Sequence, residues 1–406
     1  MKEKKGIKEA TKAAKGGRLL SLDILRGITI AGMILVNNPG SWGHIYAPLR
    51  HAPWHGLTPT DLVFPFFMFI MGVSAYFSLK KYDFTMSKSL LWKILRRTVF
   101  IYLIGIGIGW FSHFCYTLSR GDEALTFWQL LGKAANNLDG IRILGVMPRL
   151  ALCYCAASLI AVLVKHKFIP WITAGILVVY AVLLLCFHGL EFSTESIIYV
   201  VDSTVLGTDH MYSGLHVDGV NIPFDPEGLM STLPAVAHVL IGFLVGQLLT
   251  KIRDNRERVM YLFIVGFALM LSGWLLSYGM PINKQIWTST FAITTCGMAA
   301  SLLAFLVWII DICGKTRWCR FFESFGINPL FMFVMGGVMS ILFGSIKLPY
   351  GEDMVSIHSI IYAKWLIPLC GEGGENLASC LYALIFVGFI WCIGYKLYKN
   401  KIYIKI

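Results

Sequence analysis

The sequence predicts an all-α fold, a polytopic bundle of about ten transmembrane helices with both termini in the cytoplasm. Hydrophobic residues make up 56% of the 406 positions and the mean hydropathy is +0.67, more apolar surface than a soluble core of this size needs. Runs of about 20 apolar residues recur, and each is long enough to cross roughly 30 Å of hydrocarbon as a helix. Strands of a membrane barrel would instead give short alternating segments.

Ten apolar runs qualify as spans. The stretch 355–370 is apolar but short and contains His358 and Lys364, so we expect an interfacial or re-entrant helix there rather than an eleventh span. The predicted spans are 19–38, 60–79, 95–112, 143–164, 168–187, 232–250, 259–279, 286–311, 321–344 and 376–395.

The basic residues set the predicted orientation. Of the 35 Lys and Arg residues, 26 lie in the two terminal tails and in alternate links between spans, whereas the links on the other side hold seven. The positive-inside rule then places both termini in the cytoplasm, which requires an even number of spans. The net charge of +12 therefore reflects topology, and we expect no nucleic-acid partner.

The chain is predicted to be one domain in the inner cell membrane. Residues 1–18 lack the small-residue cleavage site of a signal peptide and are expected to form a basic cytoplasmic tail. Residues 19–398 form a single transmembrane domain, and 399–406 form a second cytoplasmic tail. The ten cysteines are mostly scattered within spans and show no zinc spacing, so we expect neither a disulfide framework nor a metal site.

The external side collects polar side chains. The stretch "HAPWHG" places His51 and His55 just before the second span, and Asp61 offers an N-cap oxygen to that helix. A histidine in such a loop is usually an interfacial side chain, but a base beside a lipid-embedded bundle is costly unless it faces a polar cavity. Arg149, two turns inside its span, is likewise expected to face a polar cavity rather than lipid.

Six blocks then carry a resemblance, in one order from about Leu19 to the ninth span. The chain resembles the heparan-α-glucosaminide N-acetyltransferase family and its bacterial relatives. The blocks are "SLDILRGITIAGMILVNN", "HAPWHGLTPTDLVFPFFMFIMG", "IRILGVMPRLALCY", "IPFDPEGLMSTL", "PINKQIW" and "FESFGINPLFMF".

The resemblance implies transfer of an acetyl group from cytoplasmic acetyl-CoA to an amino sugar of glucosamine type across the membrane. The family's active histidine matches His51, and its catalytic-site asparagine matches Asn37 in "ILVNN". The family often has asparagine where this chain has His55, and the link from Asn37 to His51 is slightly longer than in the lysosomal members.

The residue chemistry agrees with an acyl transfer. Acetylation of an amine needs a base, and an imidazole is suited to that role, so we predict that His51 is the general base. The tetrahedral oxyanion needs donors already in place, and the amide of Asn37 could supply one. Asn37 could equally orient His51, or be a plain polar residue at a helix end.

Several further residues are candidates for binding the acceptor. The two acids in "FDPEG", Asp225 and Glu227, could hold sugar hydroxyls or cap the following helix. The amide, ammonium and indole of "PINKQIW" suit a sugar face or an interfacial belt, and the asparagine of "GINPL" could line a cavity beside a proline-broken helix. The predicted acceptor set is His55, Asp61, Arg149, Asp225, Asn283, Lys284, Trp287 and Asn328.

The donor prediction rests on the resemblance. The phosphates of CoA are expected to bind cationic side chains at the cytoplasmic end of the bundle. Arg26 and Arg253 are the predicted phosphate-binding residues. No Walker or Rossmann loop gives an independent nucleotide signal. The alternative is a transporter or flippase for a sugar or lipid-linked substrate, since buried charges and broken spans also build translocation paths. The exact acceptor and a homo-oligomeric state are left open.

Overall fold

The computed structural model describes residues 19–121 and 125–404. The predicted tail 1–18 and the last two residues of the tail 399–406 lie outside this part. Helices dominate the described residues, whose strands pair as two short antiparallel hairpins, and the predicted all-α class is confirmed. The helices are α1 (Leu20–Val36), α2 (Val63–Lys80), α3 (Lys88–Arg120), α4 (Phe127–Ala135), α5 (Val146–Leu163), α6 (Ile169–Cys186), α7 (Ile197–Leu206), α8 (Leu229–Lys251), α9 (Asn255–Leu276), α10 (Ser289–Leu306), α11 (Cys319–Ile327), α12 (Pro329–Ser345), α13 (Ile357–Cys370) and α14 (Glu375–Lys399), and the strands are β1 (His216–Val217), β2 (Val220–Asn221), β3 (Lys347–Tyr350) and β4 (Asp353–Ser356).

The chain is a membrane protein with many apolar helices. Within residues 19–121 and 125–404, eight helices are long and apolar enough to cross a bilayer, or nine if the bent pair α11 and α12 counts as one span. The first predicted span corresponds to α1, which has 17 residues. The count of ten spans and the cytoplasmic placement of both termini stay predictions.

The ninth predicted span, 321–344, is not one straight helix. α11 and α12 meet at an angle of 89°, and the break falls between Asn328 and Pro329. Proline lacks a backbone N–H and disfavours the helical conformation of the residue before it, which explains why Asn328 has φ −120° and ψ 56°. The span is therefore broken where the sequence places "NP".

The stretch 355–370 forms the short helix α13, which contains a π-helical turn at Ile360–Leu366. At 1.5 Å per residue it is only about 21 Å long, shorter than a hydrocarbon core of roughly 30 Å. Its length agrees with the expectation of a helix that does not cross on its own.

Helices α2 and α8 form the centre of the bundle. The apolar window of α8 is 83% buried, whereas that of α3 is only 6% buried, so α3 lies on the outside. α2 and α8 approach closely because each has a glycine at the crossing: a Cβ on Gly72 would lie 2.0 Å from the Val239 oxygen, and one on Gly242 would lie 2.2 Å from the Phe69 oxygen. This contact brings the segments before both helices together.

Three links meet above that crossing. The Gly56 N–H donates to the Ile282 carbonyl at 2.8 Å, and Trp54 Nε1 donates to the Leu190 carbonyl at 2.9 Å. The Trp54 ring also packs edge-on against Phe224, with ring centroids 5.6 Å apart. The links 37–58, 187–228 and 277–288 thus form one surface, and most of the predicted site residues lie there.

Candidate active site

The site begins at the turn that starts α2. The sequence "TPTD" forms a capping box at the 3-10 turn Pro59–Leu62. One oxygen of Asp61, Oδ2, accepts from the Thr58 backbone N–H at 3.1 Å, from Thr58 Oγ1 at 2.9 Å and from the Ala52 N–H at 3.1 Å. The residue is 1% exposed. Asp61 is therefore fixed in position, and its second oxygen is left for another partner.

That partner is His51. The Nδ1 atom of His51 lies 2.6 Å from Asp61 Oδ1. A carboxylate only accepts hydrogen bonds, so this contact favours the tautomer in which Nδ1 carries the proton and Nε2 presents a lone pair. The His51 side chain is 32% exposed whereas that of Asp61 is 1% exposed, so the imidazole faces outward from a buried carboxylate.

Lys284 completes this group from the link before α10. Its Nζ lies 3.3 Å from Asp61 Oδ1 and 3.0 Å from His51 Nδ1. Burial lowers the pKa of Lys284, and the carboxylates of Asp61 and Glu227 oppose that shift without cancelling it. A cation, a carboxylate and an imidazole therefore share one small region.

Asn283 orders the link that carries Lys284. Its Oδ1 accepts from the Ile286 N–H at 3.2 Å, and its own N–H donates to Thr288 Oγ1 at 3.0 Å. Its amide nitrogen lies 3.3 Å from His55 Nδ1. Asn283 is fully buried, so its first task is to hold this turn and to connect it to the "HAPWHG" segment.

A second charged group lies beside the first. Arg142 donates two hydrogen bonds to Asp225, at 2.9 and 2.5 Å, and a third to Glu227 at 2.6 Å. Burial raises the pKa of Glu227, but the positive charges of Arg142 and Arg149 outweigh burial and hold the pKa below its usual range. Asp225 is therefore part of an ion network rather than a helix cap alone.

Arg149 lies deeper, at the start of α5. It is fully buried, and its Nη2 donates to Ser231 Oγ and to the Gly228 carbonyl. Its guanidinium carbon lies 5.2 Å from the centroid of the Trp287 ring. Trp287 is 1% exposed and has a φ of 51°, which is unusual for a bulky side chain and indicates a conformation imposed by its surroundings.

The structure does not join every predicted residue to this group. Asn37 is exposed at the end of α1. The amide of Asn328 donates to the Ile402 carbonyl and accepts from the Ile404 N–H, both at 2.9 Å, so it connects the helix break to the C-terminal segment. Contacts between these two amides and His51 are absent from the described hydrogen bonds.

The two predicted donor-binding arginines differ in environment. Arg26 is bonded within the bundle, to Asp23 at 3.1 Å and to Ser74 at 2.8 Å. Arg253 is exposed in the link between α8 and α9. Arg253 is thus accessible to a phosphate, whereas Arg26 already has protein partners.

Sequence reasoning singled out Asp61 as a cap and as a binding residue, but it did not pair Asp61 with His51. It also left Arg142 out of the candidate set. One signal was present for Arg142: it is one of only seven basic residues in the links predicted to be external, and the acids of "FDPEG" lie in another of those links. Within the described ranges, no group of three His, Cys, Asp or Glu side chains could hold a metal ion.

The sequence of the chain is similar to those of two known proteins. The chain is 24% identical over 450 aligned residues to "Heparan-alpha-glucosaminide N-acetyltransferase" of Mus musculus, covering 98% of this chain and 62% of the mouse protein. It is 25% identical over 445 residues to the Homo sapiens protein of the same name, covering 96% of this chain and 60% of the human protein. The chain thus spans about three fifths of the length of these relatives. No protein-family model matches the chain. The resemblance read from the six blocks is confirmed as a distant relationship, and the chain is a distant relative of the heparan-alpha-glucosaminide N-acetyltransferases.

Proposed function

We propose that this protein is an acetyltransferase that moves the acetyl group of acetyl-CoA to the amino group of a glucosamine-type sugar. The names of its distant relatives support the reaction class. The observation that carries the proposal for this chain is the contact of 2.6 Å between His51 Nδ1 and the buried Asp61 carboxylate. Such a contact holds an imidazole in the form that acts as a general base through Nε2.

The proposed reaction is a direct transfer within a ternary complex. The amine nitrogen attacks the thioester carbon, and His51 Nε2 takes the proton that the nitrogen loses. The new C–N bond gives a tetrahedral intermediate with an oxyanion. Its collapse breaks the C–S bond, and the imidazolium passes its proton to the leaving CoA thiolate. Asp61 holds the imidazole in place throughout by accepting the Nδ1 proton. Lys284, whose Nζ lies 3.3 Å from the same carboxylate oxygen, helps to fix that carboxylate.

The oxyanion of the tetrahedral intermediate needs a donor near His51. The resemblance proposes Asn37 for this role. Lys284 is a second candidate, because its ammonium lies 3.0 Å from the imidazole and carries a positive charge. A lysine donor and an asparagine donor differ in charge, so substitution at each residue distinguishes them.

The acceptor would bind where the three links meet. Glu227 and Asp225 carry negative charge there and, with Arg142, offer oxygen and nitrogen atoms suited to sugar hydroxyls. His55 lies at the rim of the same surface, next to Asn283.

The donor would enter from the opposite face of the bundle, in the inner membrane of the cell. Arg253 is the better of the two predicted phosphate contacts because it is exposed, whereas Arg26 is occupied by Asp23 and Ser74. The phosphates of CoA would stay at that face while the thin pantetheine arm reaches inward.

Release of free CoA thiol tests the proposal. Purified protein should release thiol when acetyl-CoA and glucosamine are both present, and His51→Ala should abolish most of that release while still binding acetyl-CoA. A transporter or flippase would release none. Wild-type protein given labelled acetyl-CoA without acceptor should hold no covalent label, and a stoichiometric label on His51 would replace direct transfer by an acyl-histidine route.

A further inference from the structure

The C-terminal segment is held by one buried side chain. The amide of Asn328, which is 2% exposed, donates to the Ile402 carbonyl and accepts from the Ile404 N–H, both at 2.9 Å. Both partners are backbone atoms, so these bonds fix the course of the chain and do not depend on the side chains of residues 402 and 404. We call residues 402–404 the latch.

An uncommon turn brings the latch to Asn328. After α14 the chain reverses at Lys401, whose φ of 55° lies in the left-handed region, which costs free energy for a residue with a Cβ. The Ile402 N–H then donates to the Leu397 carbonyl at 3.0 Å. The two bonds with Asn328 come directly after this turn and help to impose it.

Asn328 is the hinge between two helices. It ends α11 and precedes Pro329, the first residue of α12, and the two helices meet at 89°. Pro329 has no backbone N–H, so regular helical bonding does not run through it into α11. Hinge motions in proteins are absorbed by a few residues at the ends of elements such as these. The latch therefore holds the residue about which α11 can turn relative to α12.

α14 holds α11 at a second point. Tyr398, in the last turn of α14, donates from its hydroxyl to Glu323 Oε2 at 2.9 Å. Glu323 lies near the middle of α11, five residues before Asn328. At its other end, α11 follows the link 313–318, in which Gly314 has a φ of 68°. The end of α14 and the latch thus fasten the half of α11 that lies nearer the hinge.

α11 covers a polar cluster inside the bundle. Arg26 donates to Asp23 at 3.1 Å and to Ser74 at 2.8 Å, and it also donates to the carbonyl of Gly326 on α11 at 3.4 Å. Glycines let α1 and α11 meet here, since a Cβ on Gly27 or Gly326 would collide with the backbone of the other helix. The side chains of Arg26 and Asp23 are only 19% and 8% exposed. Charged side chains among apolar helices are costly and usually serve a function.

We propose that α11 is a gate over the cluster of Asp23, Arg26 and Ser74, that it turns about Asn328, and that the latch keeps it closed. Opening separates Arg26 from the Gly326 carbonyl and exposes the cluster at the end of the bundle that is predicted to be cytoplasmic. The consequence for catalysis rests on the proposed function, because acetyl-CoA would have to pass this end. The latch regulates access of the donor and takes no part in the acetyl transfer.

Two substitutions of Ile404 separate the backbone contact of the latch from its side chain. Ile404→Pro removes the N–H that donates to Asn328, whereas Ile404→Ala keeps that N–H and removes only side-chain atoms. Ile404 is 42% exposed, so either variant loses little packing. Both are compared with wild-type protein purified in detergent.

The reporter of opening is Cys319, the first residue of α11. It lies nine residues before Asn328, about 13 Å from the hinge, so opening moves it further than any later residue of the helix. Cys319 is 2% exposed, whereas Cys313 in the preceding link is exposed. Alkylation by a charged maleimide is read at each cysteine by mass spectrometry. Cys313 is the accessible control, and the buried Cys153 of α5 and Cys296 of α10 report general unfolding.

We expect Ile404→Pro to raise the labelling rate of Cys319, relative to that of Cys313, by about fivefold or more, the effect of losing one hydrogen bond. Ile404→Ala should label at the wild-type rate, because it keeps the bond to Asn328. Cys153 and Cys296 should stay protected in all three proteins. Equal rates at Cys319 in the two variants, or a rise shared by Cys153 and Cys296, would overturn the gate.

Binding of acetyl-CoA to the same variants tests the consequence for the donor. If the donor binds only the open form, its apparent Kd is the intrinsic Kd divided by the open fraction, so Ile404→Pro should bind acetyl-CoA more tightly by the same factor. Unchanged acetyl-CoA binding together with faster labelling of Cys319 would overturn the control of the donor. Faster labelling and tighter binding, with no thiol release for any amine, would reject the proposed function and leave the gate standing.

Tyr398→Phe is the second variant if Ile404→Pro does not fold. It removes the hydroxyl that donates to Glu323 and keeps the ring, so Cys319 should again be labelled faster while Cys153 stays protected. Labelling of Cys319 at the wild-type rate would reject a gate held closed by the end of α14.

Discussion

Replacing Asp61 with asparagine should reverse the tautomer of His51. The two backbone N–H groups of Ala52 and Thr58 donate to Asp61 Oδ2, and an amide nitrogen cannot accept from them. The amide oxygen of the variant must therefore take the Oδ2 position, and its NH₂ group must take the Oδ1 position. That group would then donate to His51 Nδ1 across the present distance of 2.6 Å.

A donor at that position forces the imidazole proton to Nε2, the atom that must accept the proton of the amine. The loss should approach that of the base itself, on the order of 10² to 10⁴ in kcat. This corresponds to roughly 3 to 5 kcal/mol of transition-state stabilisation at about 1.4 kcal/mol for each tenfold change. The KM for acetyl-CoA should change little, because Asp61 does not contact the donor in this mechanism.

The assay is thiol release from acetyl-CoA with saturating glucosamine, comparing Asp61→Asn with Thr58→Val. The valine variant removes only the hydroxyl that donates to Asp61 Oδ2 at 2.9 Å and leaves the carboxylate facing His51, so its kcat should stay within roughly fivefold of wild type. If Asp61→Asn kept a kcat as high as that of Thr58→Val, the role given to the carboxylate would be refuted.

Three further predictions concern pH, the donor and topology. Burial raises the pKa of Asp202 to about 6 from 3.8, so the folded protein binds a proton that the unfolded chain has lost, and stability falls as pH rises through that window. Asp202→Asn should therefore stabilise the folded protein at pH 8, by at most about 3 kcal/mol in the free energy of unfolding, which is measured as a higher unfolding temperature. It should have no such effect at pH 3.5. An equal gain at both pH values would contradict the assigned cause. Arg253→Glu should raise the KM for acetyl-CoA and leave that for glucosamine unchanged, and an unchanged donor KM would remove Arg253 from the site. In a cysteine-free background, a cysteine beside His51 should react with an impermeant reagent from outside the cell and one at Lys251 only from within, and labelling beside His51 from the cytoplasm would reject the predicted orientation.

The fold class could be read from the sequence because a bilayer imposes one simple requirement, a long apolar helix with its backbone bonded internally. The break at Asn328 shows the limit of that reading. The "NP" pair predicts an interruption of the helix. It does not predict the angle of 89° between the two parts, since that angle depends on how α11 and α12 pack against their neighbours. Likewise, the close contact at Gly72 and Gly242 is a property of two helices far apart in the chain.

The sequence identified many of the residues of the candidate site, but not which of them contact one another. His51 and His55 both stood out as imidazoles next to a membrane helix, and the family resemblance selected His51 as the base. Its partnership with Asp61 depends on a turn that directs Oδ2 to three donors and leaves Oδ1 free. The bonds between Arg142 and Asp225 join residues 83 positions apart, and no local pattern encodes such a pairing.

Asn37 is the reverse case. The resemblance proposes it as a site residue, but the described hydrogen bonds do not connect it to His51. It lies exposed at the end of α1, while the neighbouring Asn38 is buried and donates to the Ile34 carbonyl at 2.6 Å. Sequence pattern alone cannot tell two adjacent amides apart, because their environments differ only after the chain turns at the helix end. The role of Asn37 stays a prediction.

The most direct measurement uses sealed proteoliposomes in which the protein has one known orientation. Labelled acetyl-CoA is supplied only on the side of Lys251, and glucosamine only on the side of His51. Labelled N-acetylglucosamine should form on the His51 side with wild-type protein and be nearly absent with His51→Ala. Product formed equally well by His51→Ala, or formed only when both substrates are on the Lys251 side, would contradict transfer across the membrane by His51.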